Sequence, residues 1–237
     1  SSDLNEQEVL PETVRQLTDL LGSLVLAGKI AANSGLWLVD DGSADSTWGG
    51  IVAAAASDPR VHGVRLSRNF GHQSALLAGL AAAQGDAVIS VDADMQDDIG
   101  AIDRMIDQFI GGADIVYGVR QSRVVDGAFK RLTAELFYRI LRRMGVQVVF
   151  NHADYRLMSR RALEALGNFP EVNLFLRGIV PQLGFTTALV GYDRRERLAG
   201  ESKYPLRKML GLALNGVTSF SVVPLRMISG LGLLICL

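Results

Sequence analysis

Four short apolar runs recur along the chain: LWLV at 36–39, VHGVRL at 61–66, AVISV at 87–91 and ADIVYG at 113–118. Between them lie stretches of helical character such as STWGGIVAAAAS and QSALLAGLAAAQ. This alternation is the strongest constraint on the fold. Strands separated by helices of about 10 to 15 residues close into βαβ units around a mostly parallel sheet. The expected fold class is therefore α/β. No internal repeat or low-complexity linker interrupts the pattern, so residues 1–193 read as one domain, and 237 residues at 49% hydrophobic content suffice for a sizeable core.

The two ends depart from the alternation. An α/β sheet of this kind opens on a strand, yet the chain starts with polar residues, and Pro11 stands near the start of the helical pattern ETVRQLTDLLGSLVLAG. A first strand is expected to be missing. At the other end, residues 194–226 read as a juxtamembrane amphipathic region, and 227–237 (MISGLGLLICL) run eleven residues without a charge. That is about 16 Å of helix where a span needs about 30 Å, which suggests the start of a transmembrane helix. The stretch 193–208, DRRERLAGESKYPLRK, holds six basic and three acidic side chains. Basic residues beside a span stay on the cytoplasmic side, so the domain is expected on the cytoplasmic face of the inner or plasma membrane, anchored through its C-terminal region.

A formal net charge of -1 gives no global reason to expect nucleic acid. The only cysteine, Cys236, excludes disulfides within the chain and thiolate zinc sites. His62, His72 and His152 show no metal-ligand spacing and read as satisfied core or surface residues. Any metal would be held by oxygen. From 127 to 145, GAFKRLTAELFYRILRRMG places Phe129, Leu132, Leu136, Phe137, Ile140, Leu141 and Met144 on one helical stripe. Its other face is basic, which fits either a solvated surface or a helix lying on an anionic membrane.

The chemistry concentrates where AVISV ends. Asp92, Asp94, Asp97 and Asp98 fall within seven residues, and a second acidic pair, Asp40-Asp41, follows LWLV in the same way. Like charges about 4 Å apart repel by roughly 4 kcal/mol at an effective dielectric near 20, so such a cluster calls for a cation. In open parallel sheets, ligands bind at the carboxyl ends of the strands. A D-x-D there suits Mg²⁺ or Mn²⁺ bridging to a diphosphate, because hard divalent cations share carboxylate oxygens with waters and phosphates. An EF-hand is excluded, since Asp97 and Asp103 stand where its Gly and Glu would be. A phosphatase of the haloacid dehalogenase type expects Thr or Val where Gln96 stands. Helix capping explains Asp97 or Asp98 but not Asp92 and Asp94.

Five segments in order carry a resemblance: VDDGSADST at 39–47, NFGHQSALLAGLAAAQGDAVISVDADMQDD at 69–98, YRLMSRRALEAL at 155–166, FLRGIV at 175–180 and GESKYPLRKMLGLALNGVTSFSVVPLR at 200–226. Together they resemble family 2 glycosyltransferases, in particular the membrane-bound branch related to dolichyl-phosphate mannose synthases and bactoprenol glucosyltransferases. The resemblance implies a GT-A nucleotide-binding domain that moves a sugar from a nucleotide donor to polyprenyl phosphate with Mg²⁺ or Mn²⁺. It implies that Glu6, Asp40, Asp41 and Asp92 contact the donor, although Leu4 replaces the usual aromatic of the family's Y-N-E motif. Asp92 and Asp94 match the metal motif, with Asp94 and Gln96 the direct ligands. Arg120, Arg131, Arg197 and Lys203 match basic positions, of which Arg120, Arg131 and Lys203 are assigned to the acceptor phosphate and Arg197 to catalysis. Asp154 is the candidate base or acceptor-positioning carboxylate.

The donor expected is UDP-glucose and the acceptor undecaprenyl phosphate, with a homo-oligomer compatible with this reading. GDP-mannose or a UDP-N-acetylhexosamine is the alternative donor. Outside the family, a haloacid-dehalogenase-like phosphatase and a non-catalytic nucleotide-binding membrane adaptor compete.

Overall fold

The computed structural model describes residues 6–120, 152–169 and 176–193. They divide between two compact units, the first built from 6–120, 152–169 and 185–193 and the second contributing 176–184. The stretch 1–193 thus contributes to both. In the second unit, helix α6 (Leu176–Gln182) buries Leu176, Ile179 and Val180.

The first unit begins with α1 (Leu10–Leu26). Pro11 occupies its first turn, where a missing N–H costs nothing, and Glu12 complements the positive end of the helix. Leu10, Thr13, Leu17 and Leu24 form its buried stripe. Next come β1 (Leu36–Asp40), α2 (Thr47–Ser57) and β2 (Val61–Arg65). β1 and β2 pair in parallel, from Leu36 opposite Val61 to Asp40 opposite Arg65. Leu10, Leu38, Ile51 and Val61 form the core on this side.

Helix α3 (His72–Ala82), β3 (Ala87–Ser90), α4 (Ala101–Ile110) and β4 (Ile115–Arg120) continue the alternation. β5 (His152–Ser159), α5 (Arg160–Gly167) and β6 (Thr187–Tyr192) complete the unit. A four-stranded sheet runs β3-β5-β4-β6. β5 lies antiparallel between β3 and β4, while β4 and β6 are parallel. Three strands of this sheet therefore share one direction, and only β5 opposes them. The strands expected from 36, 61, 87 and 113 are all present, the last of them beginning at Ile115; β5 and β6 are additions that the apolar-run reading does not contain.

The main core joins Leu17 and Leu24 of α1, Ala101, Ile102, Met105 and Ile106 of α4, and Val116, Tyr155, Leu157, Val190 and Tyr192 of the sheet. Each large side chain buried there contributes about 1.5–3 kcal/mol. Packing is close enough that Gly118 is required: a Cβ there would lie 2.9 Å from both Met105 Cε and Tyr155 Cδ1. The β4–β5 register also shifts at this point, between Tyr117 and Val119.

Asp114 fastens the far end of the sheet. It accepts hydrogen bonds from Arg161, Ser159 Oγ (3.0 Å) and Thr186 Oγ1 (2.7 Å), tying β4, α5 and β6 together. The Arg161 guanidinium holds this carboxyl well below the usual carboxylate range against the opposing effect of burial.

No helix among the described residues is long and apolar enough to cross a membrane. The expected basic helix at 127–145, the juxtamembrane region 194–226 and the apolar run 227–237 lie outside the described residues.

Candidate active site

Both acidic pairs fall at the carboxyl ends of strands. Asp40 is the last residue of β1 and fully buried. Its Oδ1 accepts the Ser43 N–H at 3.0 Å, while Oδ2 makes no hydrogen bond and has Arg65 Nε 3.6 Å away. Asp41 is used differently: Oδ1 accepts from Phe70 N (2.8 Å) and Oδ2 from Gly71 N (2.9 Å). It pins the loop that starts α3. Gly42 (φ 78°) makes this approach feasible, because a Cβ there would sit 2.6 Å from the Arg68 carbonyl carbon. Glu6 lies near the same loop, since its neighbour Gln7 accepts the Ser46 N–H at 3.2 Å.

Residues 92–98 follow β3. Met95, between Asp94 and Gln96, has φ 54°, the only positive φ at a non-glycine position among the described residues. Such a backbone costs of order 1–3 kcal/mol and is maintained by its surroundings, here a buried Met95 side chain and an Asp94 Oδ1 that accepts Gln96 N at 3.2 Å. α1 supports the loop through Thr13 Oγ1, 3.0 Å from the Ala93 carbonyl. Gln96 Oε1 is buried and makes no hydrogen bond. A buried amide oxygen without a donor costs about 1–3 kcal/mol, a cost that a hard cation taking it as a ligand would offset.

Among the described residues, no three His, Cys, Asp or Glu side chains are grouped to hold a metal ion. The oxygen donors this loop could offer a hard divalent cation are instead the Asp94 carboxylate and the Gln96 amide. Two protein ligands suit an ion that completes its shell with water and phosphate oxygens. Asp92 is half-buried at the start of this loop.

Asp97 and Asp98 separate in role. Asp98 Oδ1 accepts Gly100 N at 3.2 Å in a local turn before α4, whose N-cap residue is Gly100 and which has no side-chain cap, so the capping expected of one of the two is not made by Asp98. Asp97 does not cap. Its Oδ1 accepts the Tyr192 hydroxyl at 2.6 Å and lies 3.3 Å from Arg120. Its Oδ2 is buried without a hydrogen bond.

Asp154 lies on β5, beside the end of β3. Its Oδ1 accepts from Arg156 at 2.5 Å, and Oδ2 is 3.1 Å from His72 Nε2 and 3.5 Å from Gln73 Nε2. Ser90 Oγ donates to the Asp154 carbonyl. The paired residues Ser90 and Tyr117 flank Arg156 on either side, and Arg156 is 1% exposed. A charge so deep requires a partner, which Asp154 supplies.

These contacts link the two acidic pairs. Asp41 holds Gly71; its neighbour His72 meets Asp154; Ser90, two residues before Asp92, meets the Asp154 backbone. The sequence-expected residues Asp40, Asp41, Asp92, Asp94, Gln96 and Asp154 therefore belong to one connected region. Arg120 joins through Asp97. Arg131, Arg197 and Lys203 lie outside the described residues. Sequence reasoning passed over Arg156 and Tyr192, read Asp97 or Asp98 as a helix cap, and read His72 as a satisfied core or surface residue. His72 stands inside the quoted NFGHQS motif, a signal outweighed by the usual behaviour of isolated histidines.

An α/β domain with acidic residues at the carboxyl ends of its strands has the architecture in which open sheets bind ligands. The chain belongs to glycosyl transferase family 2, which residues 4–167 match. It is a glycosyltransferase by this membership. It is 52% identical over 230 residues to the uncharacterized glycosyltransferase YkoT of Bacillus subtilis (strain 168), covering 96% of this chain and 68% of that protein. It is 42% identical over 235 residues to the bactoprenol glucosyl transferase of Shigella phage SfX, covering 98% and 74% respectively. Among solved structures, the mannosyltransferase PcManGT of Pyrobaculum calidifontis, in complex with GDP-Man and Mn²⁺, aligns with a TM-score of 0.52 at 15% identity, covering 99% of this chain and 78% of that one. That likeness shows the GT-A-like fold.

Proposed function

We propose that this chain transfers a hexose, glucose from UDP-glucose, to undecaprenyl phosphate with inversion at the anomeric carbon. An acceptor phosphate oxygen forms the new bond to that carbon as its bond to the diphosphate oxygen breaks, and the nucleoside diphosphate leaves. The observation that carries the reading is the Asp94–Met95–Gln96 turn, which presents a carboxylate and an unsatisfied buried amide oxygen. The relatives named bactoprenol glucosyl transferase support the choice of sugar and acceptor.

Asp94 and Gln96 would hold Mg²⁺ or Mn²⁺, with Asp92 beside them. When bound, the ion neutralises the charge developing on the leaving diphosphate. Asp40 offers Oδ2, which makes no hydrogen bond, to the donor nucleotide, and Glu6 flanks the same loop. Asp41 shapes that pocket by holding residues 70–71. Arg120, Arg131 and Lys203 hold the acceptor phosphate, and Arg197 aids the leaving group.

Little general-base help is required, because a phosphate with a second pKa near 6 is largely ionised at neutral pH. Asp154 accordingly acts as an organising carboxylate, with its oxygens turned to Arg156, His72 and Gln73. Residues 1–193 constitute the catalytic part and 194–237 its attachment to the membrane that carries the lipid, on the cytoplasmic face.

The test is a donor panel of UDP-glucose, GDP-mannose and UDP-N-acetylhexosamines, assayed with undecaprenyl phosphate. Labelled hexose should enter the organic phase from UDP-glucose. Release of inorganic phosphate without a glycolipid would indicate a phosphatase, and nucleotide binding without turnover an adaptor.

A further inference from the structure

We infer that Asp97 and Tyr192 form a positioning clamp for Arg120 that fixes the acceptor phosphate, an inference that rests on the reading of Arg120 as an acceptor contact. The parallel β4–β6 ladder sets Arg120 and Tyr192 side by side as register partners, each the last residue of its strand. Asp97 reaches the pair from the metal-motif loop. The Tyr192 hydroxyl donates to Asp97 Oδ1 at 2.6 Å and accepts from Arg120 Nε at 3.2 Å. An Arg120 terminal nitrogen lies 3.3 Å from the same carboxylate oxygen.

Two points of hold on one guanidinium fix its plane, which a single ion pair would not. The Arg120 side chain still keeps 30% of its surface accessible while that of Asp97 keeps 1%, so the anchor is buried and the cation partly exposed. Tyr192 is itself buried, packed edge-on against Tyr155 with ring centroids 5.2 Å apart. Burial, with Asp97 beside it, keeps the Tyr192 hydroxyl protonated well above the physiological range, so it remains a donor to the carboxylate. Asp97 lies three residues from Asp94, so one loop carries both the metal-motif carboxylate and the anchor of the acceptor cation. The distance between donor and acceptor charges is thereby set within a single short segment.

The experiment measures KM for undecaprenyl phosphate and for UDP-glucose, with kcat, in the full chain and in Arg120→Ala, Tyr192→Phe, Asp97→Asn and the Arg120→Ala/Tyr192→Phe double variant. Tyr192→Phe keeps the ring and its packing, and thermal unfolding of each variant reports on the fold independently. The clamp predicts that Tyr192→Phe and Asp97→Asn each raise the acceptor KM about three- to tenfold with the donor KM unchanged. Tyr192→Phe should add nothing to Arg120→Ala, because its effect passes through that side chain. Additive effects, or a change confined to the donor KM, would overturn the clamp while leaving the acceptor reading intact. An unchanged acceptor KM in Arg120→Ala would instead remove Arg120 from the acceptor site and the clamp with it.

Discussion

Replacing Gln96 by Met separates the cost of this site from its use. Gln96 is 8% exposed, and its Oε1 is buried without a hydrogen bond. An unsatisfied buried acceptor costs about 1–3 kcal/mol, and a thioether of similar length removes it while filling the same space. In metal-free buffer, Gln96→Met should therefore be more stable than the parent by about 1 kcal/mol, or about 2–4 °C in Tm for a chain of this size. With Mn²⁺ and UDP-glucose the order should reverse. Ligands at about 100 times their Kd stabilise by about 2.7 kcal/mol, and each tenfold loss of affinity removes about 1.4 kcal/mol of that. Differential scanning calorimetry of both proteins, with and without metal plus donor, reads the two effects separately. A variant less stable than the parent without metal, or one that keeps its full ligand-induced shift, would refute the argument that this oxygen is reserved for a cation.

Asp41→Ala leaves the Phe70 N–H without its acceptor and Gly71 N–H with Asn69 Oδ1 alone, and should destabilise the chain by about 1–2 kcal/mol by chemical denaturation, whereas Asp40→Asn should weaken donor binding by calorimetry. Arg60 lowers the Asp58 carboxyl from 3.8 to about 2, and Arg161 depresses Asp114 further. A depressed folded-state value contributes stability that is present above the ordinary pKa and lost as pH falls through the folded one. Denaturation midpoints should accordingly decline from about pH 4 toward pH 2, and less steeply in Arg161→Met than in the parent. Arg131→Ala should raise the KM for undecaprenyl phosphate far more than that for UDP-glucose, as read by steady-state kinetics.

The part of this architecture that depends on local pattern was legible in the sequence. LWLV and AVISV became β1 and β3 within a residue of their apolar limits, because a strand end is marked where the apolar run meets its first carboxylate. Asp40, Asp41, Asp92 and Asp94 stand at or just beyond those strand ends for the same reason. The remainder depends on contacts between distant segments. YRLMSRRALEAL carries part of the family resemblance, but the strand in which it begins, HADYRLMS, is central, and its polar Asp154 and Arg156, whose charges neutralise each other, hide it. Nothing local shows that it inserts between β3 and β4. His72 and Asp154 are 82 residues apart, and Asp97 and Tyr192 are 95 apart, so neither pairing leaves a periodic signal.

The central claim is metal-dependent transfer of a hexose to a lipid phosphate, and the most direct measurement follows labelled glucose from UDP-glucose into the organic phase with undecaprenyl phosphate as acceptor. The parent chain should form the glycolipid with Mg²⁺ or Mn²⁺, stop in EDTA and resume when the ion is restored. Asp94→Asn should be slower by about two to three orders of magnitude with its fold intact. Undiminished glycolipid formation in EDTA, or full activity in Asp94→Asn, would contradict the account.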